Sequence, residues 1–267
     1  MEPMLNIALR AARSAATLIE RAWERTDVLS FEEKGRNDFV TEVDKASEQE
    51  LIYHLRKAYP KHSFRAEESG LIEGADPDYE WIIDPLDGTT NFIHGIPQFA
   101  ISIACRYRGQ IEHAVVLDPI KREEFTASRG RGATLNGRRI RVSKRPGLDG
   151  ALIGTGIPFN GYSYENIAPY LAALSEIAGK TAGIRRPGAA ALDLAYVAAG
   201  RFDGFWEMNL NSWDIAAGSL LVREAGGLSS DFKGGNGYLE SGDIVCGSPK
   251  VFKPLLQIVG KHMGKLR

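Results

Sequence analysis

Apolar and polar positions follow two regimes along the chain. Leu5, Leu9, Ala12, Ala16, Ile19 and Trp23 recur at helical spacing, which predicts a helix over about 5–25. Thr41 with Asp44 three residues on resembles a capping box. A second helix then runs through Leu51, Ile52 and Leu55 and stops before Pro60. Short apolar or alternating runs follow at 81–83, 99–105, 111–117 and 124–127, bounded by Gly, Pro or Asp, and these read as strands. Arg108-Gly109-Gln110 and Asn136-Gly137 read as hairpin turns. From about Leu148 strands and helices alternate. Strands are predicted at 151–155, 204–208 and 243–246. Helices are predicted at 164–178, at 189–199 ended by Gly200, at 212–225 ended by Gly226-Gly227, and at the end of the chain.

The pattern predicts an α+β half over 1–145 and an α/β half over 146–267. The boundary, near 143–149, contains Pro146 and Gly147 and is short, so the halves are expected to pack together. Residues 1–25 carry charges throughout, with no signal-peptide apolar core, and no uncharged run reaches 18 residues. Cys105 and Cys246 lie far apart and outside any C-x-x-C pair, which favours two buried thiols over a disulfide or zinc site. A cytoplasmic protein is expected.

Charge changes this picture only when it is mapped. Lys plus Arg total 33 and Asp plus Glu total 34, which excludes a uniformly basic nucleic-acid binder and an acidic disordered chain. Between Ala66 and Cys105 there is no Lys or Arg, but there are eight acids: Glu67, Glu68, Glu73, Asp76, Asp78, Glu80, Asp84 and Asp87. Between Lys121 and Arg145 stand nine basic residues and two acids. That stretch reads as a solvated sheet edge, as a balance to the acids, or as a surface for a partner or RNA. Glycine, at 29 residues, is high but aperiodic, which implies turns and close backbone approaches.

Several chemistries are absent. Gly179-Lys180-Thr181 lacks the first Gly of a P-loop, Gly154-Thr155-Gly156 lacks the third Gly of a dinucleotide fingerprint, and no H-E-x-x-H or G-x-S-x-G occurs. What remains is Asp84-Pro85-Leu86-Asp87-Gly88-Thr89-Thr90-Asn91-Phe92, at the end of the apolar run Trp81-Ile82-Ile83. Pro85 cannot extend a ladder and Gly88 permits a tight reversal, so Asp84, the Leu86 carbonyl and Asp87 can be aimed at one point. Two carboxylates ~4 Å apart repel by on the order of 4 kcal/mol at an effective dielectric of 20. Such a cluster calls for cations or protons, and among cations hard oxygen donors select Mg²⁺, Mn²⁺ or Ca²⁺. Free amides at Gly88-Thr89 would make an anion cradle beside them. Metals next to an anion site point to phosphate-ester hydrolysis.

These residues resemble the inositol monophosphatase family of Mg²⁺-dependent, Li⁺-sensitive phosphatases, and its bacterial members in particular. The resemblance covers nearly the whole chain. It is carried by Glu67-Glu68-Ser69, by 81–92, by Trp213-Asp214-Ile215-Ala216-Ala217-Gly218 and by Glu224-Ala225-Gly226-Gly227. It implies a layered αβαβα sandwich of the sugar-phosphatase type and a homodimer. It implies two to three Mg²⁺ per subunit, with Mn²⁺ as a substitute. Glu67, Asp84 and the Leu86 carbonyl would hold one ion, and Asp84, Asp87 and Asp214 a second; a weaker third would sit near Glu67. The Gly88 and Thr89 amides would bind phosphate. Asp44 would hydrogen-bond Thr89, which orients the attacking water, and no phosphoenzyme would form. Asp87, Ala190, Glu207 and Asp214 would face a phosphorylated polyol, with Gly188 and Ala189 in the same substrate loop. Lys34 and Asp38 match a mobile loop over the metals.

Plainer readings stand beside these roles. Asp44 and Asp214 suit helix starts, Glu207 suits a surface, and Gly188-Ala189-Ala190 suits helix packing. His94 reads as local structure. Ala66 stands where relatives commonly have Gly; Arg65 is expected to point away from Glu67; and Pro187 alters the substrate-side loop. Relatives also hydrolyse fructose 1,6-bisphosphate, histidinol phosphate, NADP or phosphoadenosine nucleotides. The loops that select among them, 160–165 and 185–190, are not decoded by these patterns. Some bacterial relatives take part in transcription and ribosomal-RNA antitermination complexes, which implies transcription-complex proteins as possible partners.

Overall fold

The computed structural model describes residues 2–24, 31–35, 38–157 and 165–265, and over 31–40 it describes the backbone alone. Helix α1 (Pro3–Trp23) opens on a proline at its first turn, where a missing N–H costs nothing. Strands β1 (Phe31–Gly35) and β2 (Asp38–Thr41) form an antiparallel hairpin. Lys34 and Asp38 fall on these strands, and their side chains lie outside the described residues. Helix α2 (Glu42–Ala58) starts with the expected capping box: Thr41 accepts from the Asp44 amide and Asp44 from the Thr41 amide. A cap of this kind stabilises a helix by ~1 kcal/mol.

Strands β3 (Ser63–Ala66), β4 (Gly70–Ile72) and β5 (Tyr79–Asp87) come next, then the short helix α3 (Thr89–Ile93). Strands β6 (Ala100–Tyr107), β7 (Gln110–Asp118), β8 (Glu123–Ser128), β9 (Gly132–Leu135) and β10 (Arg138–Arg139) complete a sheet ordered β10-β9-β8-β7-β6-β5-β3-β4. Both predicted hairpins occur. Arg108-Gly109 and Asn136-Gly137 have positive φ at both residues, the conformation of tight hairpin turns.

The second half supplies β11 (Leu152–Thr155), α4 (Ile167–Ala178), β12 (Gly183–Arg185), α5 (Ala190–Ala198), β13 (Gly204–Glu207) and α6 (Ser212–Glu224). It ends with β14 (Leu228–Ser230), α7 (Tyr238–Ser241), β15 (Ile244–Gly247) and α8 (Pro249–Met263). Its sheet runs β12-β11-β13-β15-β14 and is mixed: β11 lies parallel to β12 and β13, while β15 is antiparallel to β13 and β14. Most predicted boundaries hold within two residues. The helix predicted over 164–178 is helical from Ile167, with 158–164 outside the described residues.

The layers stack α, β, α, β, α, as expected. Helices α1 and α2 cover one face of the large sheet, and Trp81, Ile83, Cys105 and Val115 point into that core. Ile82, Ala104 and Val116, one residue out of phase, point to the other face, where α5 and α6 fill the space between the sheets. Helices α4 and α8 cover the far face of the small sheet. A sheet buried on both faces needs continuous apolar runs, which is why 81–83 and 100–105 do not alternate with polar residues. Both cysteines are free and buried in these cores. Among the described residues, no helix is long and apolar enough to cross a membrane.

Candidate active site

The site begins with an irregular strand. β5 does not end at Asp84, as its proline suggested; it continues to Asp87 through a bulge. Asp84 pairs with Ser102 and Asp87 with Ala100, so three steps on β5 match two on β6. In a regular strand, residues three apart face opposite sides. The extra residue re-aims the chain and brings both carboxylates to one side. Pro85 sits inside the bulge, where no ladder amide is required. Its carbonyl accepts from the Ser47 hydroxyl at 2.9 Å, and the Leu86 amide donates to Asp84 Oδ1 at 3.0 Å.

Gly88 closes the motif in the left-handed region, φ 97°. A side chain there would meet strain and crowding, because a Cβ would lie 2.9 Å from the Gln98 carbonyl. Helix α3 starts immediately after it, so the first-turn amides have no partner within the helix. Thr89 Oγ1 is shared between Asp44 Oδ1 at 2.8 Å and the Leu86 carbonyl at 3.1 Å. Asp44 therefore makes both of the contacts that the sequence left open. Its Oδ2 accepts the Thr41 amide at 2.9 Å in the cap, while Oδ1 faces Thr89. Burial raises the Asp44 pKa, and donors on Thr41 and Thr89 oppose the rise.

Glu67 follows β3, its amide donating to the Ile83 carbonyl at 3.2 Å, which sets it beside Asp84. The turn after it is pinned by Glu48, whose carboxylate accepts the Glu68 amide at 2.8 Å and the Ser69 amide at 2.9 Å. Arg65 points away, as expected, and pairs with Glu80 at 3.1 Å. Asp214 opens α6 in a second capping box, its Oδ2 accepting the Asn211 amide at 2.7 Å. Ser102, opposite Asp84 in the ladder, donates to the Trp213 carbonyl at 3.0 Å and so ties the start of α6 to the bulge.

The substrate-side residues lie against the same cluster. Asp87 Oδ2 accepts the Ala191 amide at 2.7 Å and also bonds the Ala190 amide, so it caps α5. Gly188 and Ala189 lead directly into that helix start. Glu207 ends β13 half-buried, with its carboxyl against Gly156. His94 bonds the Thr90 carbonyl at 2.8 Å and is local structure. Of the loop at 160–165, only Glu165 is described.

The acids act on one another. Burial holds Asp84 well above the usual carboxylate range, and Glu67, Asp87 and Asp214 push it further. Burial pushes Asp87 up to about 8; the Ala191 amide opposes this, and Glu207 and Glu67 add to it. Burial also pushes Glu207 up to about 8, with Arg186 opposing and Asp214 adding. Among the described residues, no three Asp, Glu, His or Cys side chains are gathered closely enough, as they stand, to hold a metal ion. The donor chemistry nevertheless fits a hard cation. Each leading influence on Asp84 disfavours its charged form, which is the situation a bound divalent ion reverses.

Two residues escaped the sequence reading. Gly156, considered only as a failed dinucleotide glycine, leaves room for Glu207: a Cβ there would lie 1.7 Å from Glu207 Oε1. Asp193 on α5 is 1% exposed, and its Oδ1 has no hydrogen-bond partner. Burial raises its pKa well above normal, and Glu207 and Asp87 add to the rise. An acid in the apolar run Ala190-Ala191-Leu192-Asp193-Leu194-Ala195 was the available signal.

A sandwich of this topology, with a bulged acidic strand facing two capped helix starts, defines a phosphatase-type scaffold. The chain belongs to the inositol monophosphatase family, whose profile matches residues 1–263. It is similar to the Nus factor SuhB of Pseudomonas aeruginosa, 62% identical over 265 residues and 98% of each chain. Its fold is similar to the extragenic suppressor protein suhB of Bartonella henselae, with TM-score 0.95, 44% identity, and 98% and 100% of the two chains covered. It is also similar to an inositol monophosphatase from Anabaena, with TM-score 0.85, 35% identity, and 97% and 95% covered.

Proposed function

We propose that this chain acts in a transcription complex as a Nus-type factor, and that it does so on a scaffold that keeps a Mg²⁺-dependent phosphomonoesterase site. The first half of the reading is supported by the name of its 62%-identical relative, Nus factor SuhB. The names of the relatives favour this role over the purely enzymatic one that the motifs suggested first. Transcription-complex proteins are then the partners, the compartment is the cytoplasm, and the chain is a homodimer.

The second half is carried by one observation: the bulge turns Asp84 and Asp87 to the same side, where Glu67 presses on both and Asp214 on Asp84. Asp84, Asp87 and Asp214, together with Glu67 and the Leu86 carbonyl, would hold Mg²⁺ or Mn²⁺. Bound Mg²⁺ would supply charge neutralisation and Lewis-acid chemistry at a phosphate ester. The Gly88 and Thr89 amides bind the phosphate. Thr89 Oγ1 passes its proton toward Asp44 Oδ1 while accepting one from a water, and burial makes Asp44 the better base. Ala190 and Glu207 face a polyol such as inositol, as Gly188 and Ala189 do at the head of α5. The halves 1–145 and 146–267 each contribute one wall. Lys34 and Asp38 belong to the loop that closes over the metals, and lithium inhibits.

Phosphate release from a panel of monoesters with Mg²⁺, including inositol 1-phosphate, tests the enzymatic half. A transcription readthrough assay with wild-type and Asp87→Asn protein tests the other. Asp87→Asn is expected to abolish phosphate release and keep readthrough. Normal turnover in that variant contradicts the site, and absence of readthrough with wild-type protein contradicts the Nus-type role.

A further inference from the structure

The Asn91 carboxamide stands at the seam between the two walls of this site. It lies on α3, two residues after Thr89, and is 7% exposed. Nδ2 donates to the carbonyls of Gln98 at 2.7 Å, Pro187 at 2.9 Å and Gly188 at 3.2 Å. Three carbonyls around one NH₂ group fix how the carboxamide faces, because its oxygen in that place would be repelled by all three. Two of these bonds reach across more than 90 residues of chain and join the bulge-and-turn wall to the segment leading into α5.

Both ends of this link are anchored. On one side Lys121 Nζ donates to the Pro97 carbonyl at 2.8 Å and to Gln98 Oε1 at 3.2 Å, and is itself held by Asp118 at 2.8 Å. On the other, Ala191 donates to Asp87 Oδ2 at 2.7 Å. Gly88 lies at the same seam: a Cβ there would come within 3.3 Å of Ala189 Cβ as well as 2.9 Å of the Gln98 carbonyl. The spacing between the walls is therefore set by close backbone approach, and the Asn91 and Asp87 side chains bond across it, Asn91 to the 187–188 carbonyls and Asp87 to the head of α5.

We infer that Asn91 is a positioning residue: its carboxamide latches the 187–189 segment, which faces the alcohol half of a phosphate ester, to the Gly88-Thr89 turn, which faces the phosphate. The functional half of this inference rests on the phosphomonoesterase reading; the latch itself does not. Pro187 has no amide of its own to donate, so its carbonyl is the backbone group by which it can be held, and Asn91 holds it. That gives a physical role to the residue that looked anomalous in the sequence.

The test uses the full-length protein with Asn91→Ser, which cannot reach all three carbonyls, and Asn91→Asp, which opposes carboxylate to carbonyl. Hydrogen exchange of the Ala191 amide, without substrate, reads the latch. It is expected to speed up about tenfold or more in both variants, while the β6 amides of the core keep their wild-type rate. With inositol 1-phosphate and Mg²⁺, KM is expected to rise about tenfold with kcat changed less than about twofold. Inhibition by inorganic phosphate, which touches only the turn, is expected to stay the same. Unchanged Ala191 exchange in both variants overturns the latch, and so does equal acceleration of the β6 amides, which would make Asn91 a residue of the fold as a whole. Unchanged KM in variants of an active enzyme overturns the positioning role. If wild-type protein releases no phosphate, the phosphomonoesterase reading fails and the exchange measurement alone decides the latch.

Discussion

Replacing Gly156 by alanine isolates one carboxylate of the site. The new Cβ would lie 1.7 Å from Glu207 Oε1, 2.0 Å from Cδ and 2.5 Å from Oε2. Ordinary contact begins near 3.4 Å, so Oε1 must retreat by the difference, 3.4 − 1.7 = 1.7 Å. The displaced atoms are the far end of a flexible side chain, so the fold should survive. An off-rotamer Glu207 costs about 0.5–1.5 kcal/mol. That is a Tm loss of roughly 1–6 °C for a chain of this size. Activity is less forgiving, because a misplacement of ~1 Å at a positioning group lowers rates by about 100-fold. The assay is steady-state phosphate release from inositol 1-phosphate, run on wild type, Gly156→Ala, Glu207→Ala and the double variant. Gly156→Ala should lose about 100-fold in kcat/KM with an unchanged Mg²⁺ half-saturation. The double variant should match Glu207→Ala in kcat/KM, since the alanine then has no carboxylate to displace. Wild-type kcat/KM in Gly156→Ala, or additive losses in the double variant, would refute this reasoning.

Asp44→Ala removes both a helix cap and the partner of Thr89, so it should lower stability by ~1 kcal/mol and phosphate release by about 100-fold or more. Asp44→Asn should keep most of the stability in a thermal melt while losing the activity; equal losses in both measures would contradict the dual role. Mg²⁺ should stabilise the metal-free protein by ~2.7 kcal/mol at 100 times its dissociation constant, seen as a melting shift of about 5–10 °C. Asp84→Asn should shrink that shift. Glu176, contacted by Lys261 at 2.7 Å, His262 at 2.8 Å and Lys180 at 2.9 Å, has its pKa held well below the usual range by these partners. A depressed folded-state pKa gives stability that is present above the unfolded value near 4.5 and declines as pH falls below it. The melting difference between wild type and Glu176→Gln should therefore shrink from pH 6 to pH 3, and a constant difference would count against the pairing.

Much of the fold was legible because its signals are local. The stripe from Leu5 to Trp23, the Thr41–Asp44 box and the Asn136-Gly137 turn each act within a few residues. Strands β1, β2, β3, β4, β9, β10, β12 and β14 were not predicted: they are two to five residues long and rely on their neighbours more than on their own pattern. The acids of the site were also readable, but how they converge was not. Residues 84 and 87 share a side only because β5 gains a residue against β6, which is a property of the pair of strands. Gly156 follows the end of β11 and Glu207 ends the neighbouring strand β13, and no spacing rule connects them. Asp44 and Asp214 both looked like caps or like site residues, and hydrogen bonds and charge together show that a carboxylate with two oxygens can serve a cap and the cluster at once.

Anomalous scattering from crystals soaked in Mn²⁺ tests the central claim, that the carboxylate cluster is a divalent-cation site, most directly. The expected result is density beside Asp84, Asp87 and Asp214, with a second peak against Glu67 and the Leu86 carbonyl, and loss of the first peak in Asp87→Asn. Well-ordered crystals with no peak at these residues, or peaks untouched by Asp87→Asn, would contradict it.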